Sequence, residues 1–140
     1  MIAYLDSSAI LRVVLGQPGQ LAEWPTILTG VTSALTEVEC ARTIDRLRVL
    51  MRLTPEQAVV TREAVDAVLQ SLEVVAIDSR IFRRAMQPRT EPLGTLDAIH
   101  LATAEAWRDS QGKDPVFATH DRQLALSARA SNFKVAGHSR

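Results

Sequence analysis

Ile2-Ala3-Tyr4-Leu5-Asp6-Ser7-Ser8-Ala9-Ile10-Leu11 carries the reading of the fold. Residues 2–5 are a short apolar run, the pattern of a buried strand, and an acid follows it directly. Ile10, Leu11, Val14 and Leu15 then fall at helical spacing. A strand that passes straight into a helix is half of a βα unit, and the alternation continues down the chain. Gly16, Pro18 and Gly19 break the first helix. Residues 20–29 are expected to form a second short helix, and Gly30-Val31-Thr32 a second strand. From Ser33 the period is helical again, with Cys40, Ile44, Leu47 and Met51 in one stripe. Thr54 caps a helix that has Pro55 at its first position and runs to about Ser71. Leu72 to Ile77 reads as a strand, with a helix capped by Asp78 or Ser79 running through Met86. Residues 88–95 are a loop. A helix over 96–108 presents Leu96, Ile99, His100, Thr103 and Trp107 on one face. A strand at 115–118, a helix at 122–130 and a strand at 133–136 complete the chain. Strands separated by helices require crossovers. The expected fold is therefore α/β, a three-layer α/β/α sandwich with a mostly parallel central sheet.

Composition agrees with one domain spanning residues 1–140. Apolar residues make up 46% of the chain, enough for one core, and charged residues 23%, against a disordered chain. Sixteen basic and sixteen acidic residues cancel, which leaves no global electrostatic footprint for nucleic acid or membrane. Among the bases Arg outnumbers Lys, which is confined to Lys113 and Lys134, and Arg suits bidentate phosphate contacts. The single cysteine, Cys40, permits neither an intrachain disulfide nor an all-cysteine metal site. No apolar stretch approaches the ~20 residues of a membrane span. No basic leader with a long apolar run opens the chain, and a soluble, cytoplasmic protein is expected.

In parallel sheets ligand groups gather at the carboxyl ends of strands, and acids stand there. Asp6 follows the first strand and Asp121 the fourth, each also suited to capping the helix that follows. Glu37 and Glu39 lie on one helix, and period alone does not decide which turns inward. Asp97 opens its helix, where the helix dipole favours an acid, yet it stands beside apolar Ala98, Ile99 and Leu101. If these elements pack on one sheet, four carboxylates meet and repel, and a divalent cation would relieve them. Hard oxygen ligands suit magnesium or manganese. Such a metal supports phosphodiester hydrolysis by polarising a phosphoryl oxygen and activating water.

Four stretches together resemble a PIN-domain ribonuclease, of the VapC type found as the toxin of toxin–antitoxin pairs. They are Leu5-Asp6-Ser7-Ser8-Ala9, Ser33-Ala34-Leu35-Thr36-Glu37-Val38-Glu39, Leu96-Asp97-Ala98-Ile99-His100-Leu101-Ala102-Thr103-Ala104 and Thr119-His120-Asp121. The third is the most specific, and the likeness extends over nearly the whole chain. The resemblance implies a PIN-like fold and an acidic quartet of Asp6, Glu39, Asp97 and Asp121. It selects Glu39 over Glu37, and it matches Asp6 and Asp97 to the acids that bind the metal most directly. Ser7 and Thr119 match small hydroxyl positions that support the site. Mg2+ or Mn2+ as cofactor, RNA as substrate, a VapB-type antitoxin as partner and a homodimer are what the family implies.

Other residues take plainer readings. His100 on an apolar face is expected to be a hydrogen-bonded core histidine. Cys40, without a histidine partner in the sequence, is expected to be a small core residue. Ser7 and Ser8 lack the Gly-x-Ser-x-Gly elbow of a serine nucleophile. Arg80, Arg83, Arg84 and Arg89, like Arg42, Arg46 and Arg52, fit a solvated helix face or the positioning of phosphate near the acids. Asp6-Ser7-Ser8 lacks the Asp-x-Asp of aspartyl phosphatases. A housekeeping PIN nuclease and a metal-free binding module remain as alternatives.

Overall fold

The structure, a computed structural model, describes residues 1–139. Its strands are β1 (Ile2–Leu5), β2 (Thr29–Ser33), β3 (Glu73–Val75), β4 (Val116–Ala118) and β5 (Val135–Ala136). Its α-helices are α1 (Ser7–Val14), α2 (Ala34–Val49), α3 (Pro55–Gln70), α4 (Ser79–Ala85), α5 (Thr95–Gln111) and α6 (Arg122–Ala130). The strands form one five-stranded sheet in the order β3-β2-β1-β4-β5, with every pairing parallel. The sheet is thus wholly parallel, as βα crossovers demand.

Period-two alternation in β1 sorts the layers. Ala3 and Leu5 face a cluster that includes Ile10 of α1, Cys40 and Ile44 of α2, and Val65 and Leu69 of α3. Tyr4 faces the other way, with Phe117, Leu101 and Trp107 of α5 and Leu124 of α6. On that side α4 packs Ile81 against Ile99 and Ala102 of α5. Helices therefore cover both faces, which is the α/β/α sandwich.

Local chemistry sets the element ends. Thr54 and Gln57 form a reciprocal capping box at α3, with Pro55 in its first turn. Asp78 caps α4, and Gly112 ends α5 in the left-handed conformation, at φ 62°. Four expectations need correction. Residues 20–29 hold only a 3-10 turn, Trp24–Thr26, because Pro18, Gly19 and Pro25 crowd a segment too short to nucleate a helix. Met51 does not complete the α2 stripe: the helix ends at Val49, and Met51 is 91% exposed at φ 59°. Leu96 begins α5 outside the packed face, 49% exposed. The last strand is only Val135–Ala136, while Phe133 turns into the core and stacks near Phe117, ring centroids 5.6 Å apart.

Candidate active site

The strand order creates a switch point beside β1. The chain winds from β1 through β2 to β3 on one side, then crosses to β4 and β5 on the other. Loops leaving β1 and β4 part in opposite directions, the arrangement at which parallel sheets commonly form a ligand crevice at their carboxyl edge. Asp6 leaves β1 and Thr119-His120-Asp121 leaves β4, so the two lips of that crevice carry acids.

Asp6 is 4% exposed and bonded through both oxygens. Its Oδ1 accepts from the Ser8 hydroxyl at 2.6 Å and from the Ala9 N–H at 3.0 Å. Its Oδ2 accepts from the Thr119 hydroxyl at 2.6 Å. It caps α1 and belongs to the crevice at once. Burial raises its pKa, and the donors Ser8 and Thr119, the charge of His100 and the Ala9 N–H pull it partly back. Thr119 Oγ1 also accepts the Asp121 N–H at 3.0 Å, and Ser8 Oγ accepts the His120 N–H at 2.9 Å. Two hydroxyls thus stitch the β1 turn to the β4 turn. The first of them is Ser8; Ser7, expected to support the site, makes no bond to Asp6. Ser8 stands two residues beyond the cap, where a side chain reaches back to the capping carboxylate.

Asp121 is exposed and caps α6, its Oδ1 accepting the Leu124 N–H at 2.7 Å. On α2, Glu37 is exposed and Glu39 turns inward, its Oε1 2.5 Å from His100 Nε2. His100 is 1% exposed and its Nδ1 lies 2.8 Å from Tyr4 Oη. It is a hydrogen-bonded core histidine, and its bond also fixes Glu39. Buried Tyr4 was legible only as a strand residue, although a phenol inside a core needs a partner. Cys40 is fully buried, and burial first, then the charges of Glu39 and Asp6, push its thiol up to about 12. It is a core residue with no thiolate to offer.

Asp97 is not a helix cap. That position is Gly94, which has no side chain to offer, and Asp97 lies in the first turn beyond it. Its carboxyl is pushed up to about 6, chiefly by burial, then by Asp121, with Asp6 and Glu39 adding and His100 opposing. Asp121, Asp6 and Glu39, each distant along the chain, thus lie near enough to raise the Asp97 carboxyl. They form an open cluster: among the described residues no three His, Cys, Asp or Glu side chains close around one point. The donor set is nonetheless hard carboxylate oxygen, and magnesium commonly takes one or two protein carboxylates and keeps several waters. Asp6 and Asp97, with Glu39 and Asp121, are the residues that could hold such an ion.

The arginines stand elsewhere. Arg84 pairs with Asp109 at 2.8 Å, and Arg89 makes a bidentate, largely buried pair with Glu105 at 2.6 and 2.9 Å. Asp109 lies twelve residues beyond Asp97 on α5, roughly 18 Å along the helix axis. Arg80 pairs with Asp78, and Arg42 with Asp45, on exposed faces. These pairs fit the solvated-face and structural readings for Arg42, Arg80, Arg84 and Arg89.

No helix among the described residues is long and apolar enough to cross a membrane. The PIN domain family profile matches residues 3–130. Ribonuclease VapC35 of Mycobacterium tuberculosis is 34% identical over 137 residues, covering 94% of this chain and 93% of that protein. Among solved structures, FitAB bound to the IR36 DNA fragment superposes with a TM-score of 0.75 at 20% identity, covering 100% of this chain and 98% of that one. A toxin–antitoxin complex from Klebsiella pneumoniae gives 0.70 at 16%, covering 99% of each chain. The structures share the fold, and the sequence matches place the ancestry: the chain belongs to the PIN-domain family, among its VapC-type members.

Proposed function

We propose that the protein is a metal-dependent endoribonuclease that hydrolyses RNA phosphodiester bonds, the toxin of a toxin–antitoxin pair. One observation carries the reading: Asp97 on α5 is pushed up to about 6 by burial and by the carboxylates of Asp121, Asp6 and Glu39, which stand on other elements. Such a cluster raises the free energy of the fold and persists where function needs it. A bound Mg2+ or Mn2+ would activate water and stabilise charge on the phosphate. Asp6 and Asp97 would hold the ion most directly, and Glu39 and Asp121 would complete the site. Thr119 and Ser8 hold the Asp6 carboxylate in one orientation, so little reorganisation is needed when a ligand arrives. The neighbours solved as toxin–antitoxin complexes support a VapB-type antitoxin as partner, and the family resemblance alone suggests a homodimer as the working form. An RNA substrate and a co-expressed antitoxin put the work in the cytoplasm.

Purified protein is incubated with tRNA and rRNA, with and without EDTA, and the cut ends are mapped. Cleavage lost in EDTA and restored by Mg2+ or Mn2+ is the expected result. Cleavage indifferent to EDTA, or none in either metal, overturns the reading. The same assay distinguishes the two α2 acids. Glu39→Gln is expected to lower cleavage roughly 10–100-fold, the range for groups that hold or orient metal ligands, and Glu37→Gln to leave it near wild type. Equal losses would mean that the acid facing His100 is not the one that matters.

A further inference from the structure

Tyr4, His100 and Glu39 form a hydrogen-bonded chain that crosses from the centre of the sheet to the acid cluster. Tyr4 is fully buried in β1, and its Oη lies 2.8 Å from His100 Nδ1. His100, 1% exposed on α5, places its Nε2 2.5 Å from Glu39 Oε1 on α2. The phenol stands edge-on to the imidazole, ring centroids 6.1 Å apart and planes at 73°, which leaves the ring little freedom to turn.

The donor and acceptor inventory fixes the direction of the chain. A carboxylate only accepts, so the hydrogen between His100 and Glu39 resides on Nε2. In its neutral form the imidazole has an acceptor at Nδ1, and the group facing it is a phenol with one hydrogen to give. Tyr4 thus selects the tautomer, and the tautomer selects which Glu39 oxygen is tied back. Oε1 is the Glu39 oxygen that His100 holds, and Oε2 makes no hydrogen bond among the described residues.

We propose that His100 is a positioning residue of this nuclease: Tyr4 sets its tautomer, and its Nε2–H holds Glu39 in the orientation the acidic site uses. The inference rests on the ribonuclease reading above. It adds a role for two buried residues, in the way partners behind metal-site ligands orient those ligands.

Tyr4→Phe keeps the ring and removes only the hydroxyl, so it tests the chain with little change in packing. Two readouts are taken. Long-range proton–nitrogen NMR on the metal-free protein, recorded at a pH where the imidazole is neutral, is expected to show His100 as the Nε2–H tautomer in the wild type. Tyr4→Phe should show a mixture of tautomers. In RNA cleavage, Tyr4→Phe is expected to lower kcat about 10-fold with KM little changed. In a Glu39→Gln background the same change should cost nothing further, because the chain then has no carboxylate to orient. An Nδ1–H tautomer in the wild type overturns the proposal whatever the enzyme does. So does an equal Tyr4→Phe loss with and without Glu39, which would mark a packing effect. If the wild type cleaves no RNA, the ribonuclease reading fails while the tautomer result still decides the hydrogen-bond chain.

Discussion

Asp97→Asn is expected to abolish metal-dependent RNA cleavage while making the metal-free protein more stable at neutral pH. The two effects have one cause. Burial and three neighbouring carboxylates raise the Asp97 carboxyl from 3.8 to about 6, so its ionised form is less welcome in the fold than in the unfolded chain. Below about pH 3.8 the group is protonated in both states and costs nothing. As pH rises to about 6 the unfolded chain ionises first, and the penalty grows until it is fully present above that value. A fully buried group would lose at most about 3 kcal/mol by such a rise; partial solvent access brings this to about 1 kcal/mol. Asn removes the charge at nearly the same volume. Thermal melts in EDTA should therefore coincide near pH 3.5 and separate above pH 6, the variant melting higher. Adding Mn2+ should raise the wild-type midpoint and leave that of the variant in place, since a ligand stabilises only the state that binds it. The loss in cleavage should be at least about 1,000-fold, or about 4 kcal/mol of transition-state stabilisation. A variant that melts lower in EDTA at pH 7 and still cuts RNA would remove Asp97 from the site.

That opposition between fold and function explains which features the sequence could reveal. Local signals set most elements: the apolar run before Asp6, the Thr54–Gln57 capping box and the Gly112 terminator each work within a few residues. Asp6 and Asp121 satisfy local helix-capping rules, and the proposed site uses the same residues, so local reading alone could not separate the two roles. Asp97 likewise satisfies the dipole preference for an acid in the first turn of a helix, and only its apolar neighbours Ala98, Ile99 and Leu101 hint at a second role. The rest was out of reach because its partners are distant in the chain. The Tyr4–His100 and Glu39–His100 bonds span 96 and 61 residues, and the Arg89–Glu105 pair 16. No periodicity encodes such pairings. The helix expected over 20–29 fails for a different reason: Pro18, Gly19 and Pro25 forbid it locally.

Asp6→Ala should also abolish cleavage, but with the opposite effect on stability. Asp6 accepts three hydrogen bonds, from Ser8, Ala9 and Thr119, in a spot that is 4% exposed. Alanine removes the cap of α1, at about 1 kcal/mol. It also strands the buried Thr119 hydroxyl, the half-buried Ser8 hydroxyl and an N–H, a loss of about 1–3 kcal/mol. Relief from a buried acid whose pKa is raised offsets part of this, so a net destabilisation of about 2 kcal/mol is expected. Asp6→Asn keeps the cap and the shape and should lose no more than about 1 kcal/mol, yet it cannot supply the charge. Urea unfolding in EDTA measures the stabilities, and the RNA assay measures the consequence. Cleavage absent from Asp6→Ala, Asp6→Asn and Asp97→Asn alike, across stabilities that fall, barely move and rise, cannot be attributed to unfolding. It must follow the carboxylate charge. Activity retained in Asp6→Asn would instead make Asp6 a helix cap and nothing more.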